Sequence, residues 1–482
     1  MKQTTKTLIG LLALVTVAGA IVGAALWAGK DEQKKAEQKE KSEKLFDFDK
    51  AKVKTLRLEK DGKLVAALSK DGAWKITEPL QAEGDEQAVN NLLDQLGTLK
   101  QRKDLGEEKD AKSYGLERPA LALTVKLEDG KEQGLQVGVD NTFDNSLYVR
   151  KLGDSTIRVV DGWHKSSYDK SLFDLREKKV AHLDEAAEVR RIEVSGVKTP
   201  YALEKEGGKW KYAGAEADSA AADRIQSSIK QIRATAIAAE KAAKLSEYGL
   251  DKPKVTVKLG VGAAGGKDTL TRTLSFGQPV KGGAGVKTYA KRDDSPVVYE
   301  VEAQVLKDLD KQPFDLQDKA LVHADREAVR RIVFEGPAGK IEVTRSKETL
   351  PDGGVAEESF AVVAPEKGAA KKWKISSALY SVVGLRAAAF EGPAPKDLAK
   401  YGLDKPRSVT LLGEKDKVLA RVRVGAEKEG KRYALADGVN KLARIEKSTV
   451  DDLPWTLSDA LETPPAALSL PDGGTAPAQA AK

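Results

Sequence analysis

The sequence predicts an α+β fold: three tandem repeats of antiparallel sheet with packed helices, after one N-terminal transmembrane helix. Three observations predict it. A Tyr-Gly-Leu-x-x-Pro marker recurs in register, the apolar period within each copy alternates between two and about 3.6, and a long uncharged run opens the chain.

The marker stands at Tyr114-Gly115-Leu116 with Pro119, at Tyr248-Gly249-Leu250 with Pro253, and at Tyr401-Gly402-Leu403 with Pro406. Other features keep the same order around it. Upstream lie Val53-Lys54-Thr55-Leu56, Val189-Arg190-Arg191-Ile192 and Val329-Arg330-Arg331-Ile332, then a tryptophan in Trp74-Lys75-Ile76, Trp210-Lys211-Tyr212 and Trp373-Lys374-Ile375. Downstream come Leu135 to Gly138, Leu274 to Gly277 and Val422 to Gly425, followed by Tyr148-Val149, Tyr289-Ala290 and Tyr433-Ala434. Each copy closes with Leu172-Phe173-Asp174-Leu175, Pro313-Phe314-Asp315-Leu316 or Pro454-Trp455-Thr456-Leu457. The third copy carries an insertion around Pro351 to Lys371, before its Trp373. These marks predict a membrane anchor (1–29), a charged linker (30–44), repeat units at 45–178, 179–318 and 319–461, and a disordered tail (462–482).

Within a copy, Leu56-Arg57-Leu58 and Lys63 to Leu68 read as a hairpin around Asp61-Gly62, leading to the strand of Trp74. Asp85 then stands as the N-cap of a helix whose Val89, Leu92, Leu93, Leu96 and Leu99 form one apolar stripe. Ile225, Ile229 and Ile232 repeat that stripe, and Leu379, Val382, Val383 and Phe390 do so more loosely. Alternating strands follow each marker, such as Leu121, Leu123, Val125 and Leu127, or Val255, Val257 and Leu259. Short hairpin links between these strands imply antiparallel sheet with helices on one face.

Thr7 to Ala28 runs 22 residues without a charge, enough for a helix to cross a hydrocarbon core about 30 Å thick. Lys2 and Lys6 precede it, Trp27 sits at its interfacial end, and Lys30 to Lys44 is almost purely Lys, Glu and Gln. Ala18-Gly19-Ala20 resembles a signal-peptide cleavage site, but the apolar run continues past it, so retention as an anchor is expected. Lys30, Lys34, Lys35, Lys39, Lys41 and Lys44 oppose export of the following domains. Export is still expected, because a short tail precedes the helix and long domains translocate largely regardless of charge.

The formal charge is +7, yet cations and acids are mixed along almost the whole chain, so little field of one sign builds up, and the sequence carries no basic stripe interleaved with a series of stacking aromatics. No nucleic-acid partner is therefore expected. The absence of cysteine excludes disulfides, thiolate metal sites, thiol nucleophiles and a lipid-modified anchor cysteine.

From Leu45 to Leu461 the chain resembles an uncharacterised bacterial family, domain of unknown function four-three-four-zero, which pairs an N-terminal membrane helix with tandem Trp and Tyr-Gly-Leu units. The resemblance implies a gene neighbourhood of gliding-motility-type ABC transporter components. It therefore implies permease or substrate-binding-like components as partners, and a single-pass protein of the inner membrane with its globular part in the periplasm. It supplies no catalytic or binding residue.

The residues themselves offer little chemistry. Gly260-Val261-Gly262-Ala263-Ala264-Gly265 has the spacing of a dinucleotide loop, but an alternating strand rather than a helix follows it, so it reads as a lengthened hairpin turn. Gly266-Lys267 lacks the first glycine and the hydroxyl residue of a phosphate loop. Asp140, Thr142 and Asp144 begin a calcium-loop pattern that Asn145 and Lys151 break. His164, His182 and His323 lack metal-pair spacing, and no serine lies in a G-x-S-x-G elbow. The marker tyrosines and leucines read as core residues, and Arg190-Arg191 and Arg330-Arg331 as solvated or inter-repeat ion pairs. The expectation is thus a non-enzymatic, membrane-anchored accessory or scaffold protein with no catalytic, cofactor-binding or metal residues and no cofactor. The alternative is an envelope-active enzyme with a site in an inter-repeat groove.

Overall fold

A computed structural model describes residues 43–107, 110–183, 187–263, 266–282, 286–348 and 357–462. The expected anchor, nearly all of the linker and tail, Ala264 and Gly265 of the glycine-rich turn, and residues 351–356 of the insertion lie outside them. Among the described residues, no helix is long and apolar enough to cross a membrane.

The first repeat contains β1 (Val53–Lys60), β2 (Lys63–Asp71), β3 (Ala73–Glu78), β4 (Ala82–Glu83), the helix α1 (Glu86–Gly97), β5 (Lys103–Glu107), β6 (Leu121–Leu127), β7 (Glu132–Asn141), β8 (Ser146–Lys151) and β9 (Thr156–Asp161). Its nine-stranded sheet has the order β4-β3-β2-β1-β6-β7-β8-β9-β5, so α1 carries the chain from one sheet edge to the other. The strands within 188–302 and within 331–446 make two more nine-stranded sheets of the same order. Every pairing described is antiparallel, and the protein is α+β with β dominant. Asp61 and Gly62 both take positive φ, 50° and 72°, as a two-residue turn joining right-twisted strands requires.

Burial alternates along the strands, and the buried side meets the helix. Leu56 and Leu58 on β1, Leu121, Leu123 and Val125 on β6, and Leu135 and Val137 on β7 share one core with Val89, Leu92, Leu93 and Leu96 of α1. Each such leucine contributes about 2 kcal/mol by leaving water. The Asp85 side chain accepts from the Ala88 amide at 3.0 Å, and in the second repeat Asp218 accepts from Ala221 at 3.0 Å at the start of α2 (Ser219–Lys230).

The third repeat shifts three sequence-based equivalences. The carbonyls of Trp74 and Trp210 accept from Gly84 and Ala217, and the carbonyl accepting from Ala370 is that of Phe360. Phe360 is therefore the counterpart of the buried tryptophans, while Trp373 lies on α3 (Lys372–Val383) and is exposed, so the strands Glu357–Ala364 and Gly368–Ala369 are regular parts of the repeat rather than an insertion reaching Lys371. The apolar stripe of α3 is Ile375, Ala378, Leu379 and Val382, and Phe390 belongs to the strand Ala389–Pro393. The closing motif of the third repeat is Leu457–Ala460, three residues later than the sequence alignment, because Asp459 fills the capping-box position of Asp174 and Asp315. A large ring satisfies the Trp position whatever its identity, so residue type alone misplaces the register.

The three markers are docking devices within each repeat. Gly115, Gly249 and Gly402 have φ of 67°, 65° and 63°, a left-handed turn that glycine adopts without a Cβ clash. A Cβ on Gly138, Gly277 or Gly425 would collide with the carbonyl oxygen of Tyr114, Tyr248 or Tyr401. The marker tyrosines meet Tyr148, Tyr289 and Tyr433 edge-to-face at 4.9, 5.0 and 4.9 Å, and Leu116, Leu250 and Leu403 are buried.

The chain forms two compact units, Met1–Leu183 with Lys230–Pro253 and Leu274–Gln304, and Asp184–Ile229 with Lys254–Thr273 and Val305–Lys482. The first unit contains the junction between repeats one and two. The second contains the junction between repeats two and three.

Candidate functional site

In the first unit, one short connector serves two repeats. Leu175 accepts from the Asp85 amide at 2.9 Å, and Arg176 bridges Gly84. A few residues on, Lys179 bridges Arg233 and Val180 donates to Ile232 at 2.9 Å. The connector thereby adds one β-bridge to the end of repeat one and one to repeat two. Its register places Lys178 Nζ at 3.5 Å and Arg233 at 3.1 Å from the Asp85 carboxylate, which also caps α1.

The second unit repeats the arrangement. Leu316 accepts from the Asp218 amide at 2.9 Å, Gln317 bridges Ala217, and Ala320 bridges Arg386. Asp218 caps α2 and meets Lys319 at 3.2 Å and Arg386 at 2.6 Å. Burial opposes ionisation of Asp218, but the Ala221 amide, Lys319 and Arg386 outweigh it and hold its carboxyl below the usual range. The two ends of the array replace these parts. The N-cap of α3 is Lys371, whose Nζ donates to the Ser458 carbonyl at 2.7 Å. At the start of repeat one, Gln101 donates to Glu43 as Ala234 donates to Lys178, so Glu43 holds the place of the latch lysine.

Beside each latch lies a groove. In the first unit it is about 570 Å³, lined by Lys75, Glu83, Arg176, Glu240, Arg292 and Tyr299 among others. Two buried arginines brace it: Arg176 pairs with Glu240 at 2.6 Å, and Arg292 with Asp294 at 2.5 Å and Glu83 at 3.6 Å. The groove in the second unit is about 730 Å³. Strand registers put Gln317 in place of Arg176, Ala436 in place of Arg292 and Pro393 in place of Glu240, so both braces are missing. Its walls carry Tyr212, Glu216, Asp318, His323, Phe390 and Lys441. Lys441 donates to Gln317 at 2.8 Å and lies 4.9 Å from the centre of the Phe390 ring, and Lys209 pairs with Glu216 at 2.7 Å.

Of the other sequence motifs, only His182 and His323 reach the junctions. Gly262 ends one strand and Asp268 begins the next, so the glycine-rich stretch joins neighbouring strands. Asp140 pairs with Lys165, and Asn145 turns the chain at φ 54°. His164 stacks on Trp163 at 3.6 Å, with burial lowering its pKa. His182 lies 3.3 Å from Glu83 and His323 3.6 Å from Asp318, at different junctions. Among the described residues, no group of three or more His, Asp or Glu side chains is arranged to hold a metal. Arg331 pairs with Glu342 and Asp416, and Arg330 with Glu414, all inside the third repeat rather than between repeats.

Sequence reasoning identified Asp85 only as a helix cap and missed Lys178, Arg233, Asp218, Lys319 and Arg386. A signal for the lysines exists: each stands three residues after the closing leucine, in Leu175-Arg176-Glu177-Lys178 and Leu316-Gln317-Asp318-Lys319.

Fold and junctions define a tandem-repeat protein whose α+β units are latched by aspartates at helix N-caps. The chain belongs to the family described as Domain of unknown function (DUF4340), whose model matches residues 74–225, 210–393 and 361–471. Those matches start at Trp74, at Trp210 and one residue after Phe360, in step with the structural register. No curated protein and no solved structure matches the chain.

Proposed function

We propose that this protein is a membrane-anchored extracytoplasmic scaffold: a single-pass helix over Thr7–Ala28 tethers the repeats, which present surfaces to components of an ABC-type transport system. The observation that carries this reading is the duplicated latch. At equivalent positions of both junctions, a buried aspartate meets a partly buried lysine and an exposed arginine, and these charges serve to join repeats, as expected of a spacer or docking array rather than of one reaction centre. The uncharged N-terminal run supports the tether, and the family resemblance supports the transporter partners.

Because the chain has no cysteine, single cysteines at exposed hairpin positions such as Lys63 and Glu429 test orientation with an impermeant thiol reagent. Labelling in intact cells is expected at both positions. If both are reached only after the inner membrane is broken, export is wrong. Co-purification of permease components from detergent extract is the second expected result. The competing reading, an envelope-active enzyme, draws on the unbraced groove with His323 and Asp318 on its wall. Turnover of an envelope polymer by the purified chain, abolished in His323→Ala, would favour it over the scaffold.

A further inference from the structure

The outward face of α3 differs from its counterparts in the earlier repeats. Counted from the N-cap, Trp373 and Tyr380 stand where α1 has Gln87 and Asp94, and where α2 has Ala220 and Ser227. All six positions are exposed. Trp373 and Tyr380 keep 71% and 75% of their surface in water and lie seven residues apart, two turns along one stripe. The core does not require them, because Ile375, Ala378, Leu379 and Val382 already fill the buried side of the helix. On α1 the same stripe is hydrophilic, with Asp94 bound to Lys50 at 2.7 Å.

Cations predominate in the segment that leads into Trp373, where Glu366 is the one acid between Pro365 and Lys374. Lys367, Lys371, Lys372 and Lys374 fall within eight residues, and Lys374 Nζ lies 5.7 Å from the centre of the Trp373 ring. A second copy docking here would set lysine against lysine. Tryptophan and tyrosine, apolar in body and polar at one edge, are the rings that settle at the level of lipid headgroups, and lysines beside them are drawn to anionic lipid.

We propose that this face of the third repeat is an interfacial docking surface for an anionic lipid bilayer, with Trp373 and Tyr380 entering the headgroup layer and the lysines meeting lipid phosphates. The proposal rests on the tethered reading, since a tether keeps the local bilayer concentration high enough for two rings and a few cations to engage.

Ser377 lies on the exposed side of α3 between the two rings, so Ser377→Cys in the full-length chain carries a single environment-sensitive fluorophore while leaving both rings intact. The labelled protein is reconstituted into phosphatidylcholine vesicles with or without phosphatidylglycerol, each with brominated or plain acyl chains, and flotation is read on the same samples. Brominated anionic vesicles are expected to quench the dye about twofold, phosphatidylcholine alone much less. Trp373→Gln with Tyr380→Asp, residues that α1 tolerates at these positions, is expected to abolish quenching without altering the unfolding midpoint. Flotation without quenching overturns the docking surface and leaves the tether standing. Equal quenching in both lipid compositions overturns the anionic specificity. Failure to float sinks the tether and the docking surface together. A dye that responds only when co-purified permease components are added assigns the face to a protein and overturns the lipid assignment.

Discussion

The junction of repeats one and two and the junction of repeats two and three use the same latch but border different grooves. At each, a capping aspartate faces a lysine from the connector and an arginine that follows the next helix. At the first, Arg176 and Arg292 brace the space beside it; at the second, Gln317 and Ala436 leave it open beneath Lys441 and Phe390. The latch recurs because the connector's bridges fix where its lysine points, and a buried carboxylate tolerates few substitutes. Groove walls have no such backbone constraint and are half solvated, so their residues can diverge without unfolding either repeat.

Substitutions can break or sharpen this comparison. The largest effect is expected inside the repeats, where the two units should behave alike. Gly138→Ala and Gly425→Ala each force a Cβ into a tyrosine carbonyl and should cost about 4 kcal/mol in urea unfolding. A clear difference between them would mean that the repeats are less equivalent than their geometry.

At the latches, Asp218→Ala should cost about 3 kcal/mol, from the lost helix cap and from a half-buried lysine left without its anion. Asp85→Ala, whose cations stand farther away, should cost about 2 kcal/mol by the same measurement. The reverse order would show that ion-pair distance does not set the strength of these latches.

Asp218 also predicts an acid limb. Its folded pKa is depressed, so its contribution is present above the ordinary aspartate value of 3.8 and is lost as the pH falls through and below that value. Asp218→Asn should therefore flatten the acid side of the stability profile, and an unchanged profile would remove Asp218 from the account. The smallest effect is expected for Arg292→Ala, about 1 kcal/mol, because Glu83 and Asp294 are each nearly half exposed and rehydrate. A much larger loss would make this brace part of the junction rather than its border.

How far the sequence could be read depended on the distance over which each feature is decided. Asp85, the stripe on α1 from Val89 to Leu96 and the Asp61-Gly62 hairpin follow from neighbours a few residues apart, and the structure has them as read, whereas Leu99 and Ile232, read into the helix stripes, are buried past the helix ends at Gly97 and Lys230. The marker glycines were legible because left-handed turns and close backbone approaches leave few alternatives to glycine. The third repeat was misaligned where shape matters more than identity: Phe360 fills the ring site of Trp74 and Trp210, and the sequence match drew attention to Trp373 instead.

The sequence by itself therefore determined that the chain is a three-fold α+β array, with the cap, hairpin turn and core stripe of its first repeat, because these are short-range consequences of backbone sterics and apolar periodicity. Only the tertiary structure decided which charges meet. Asp85 and Arg233, or Asp218 and Arg386, lie more than a hundred residues apart in the chain, and a carboxylate finds its cation only after sheet register and helix crossing have placed both at one end of a connector.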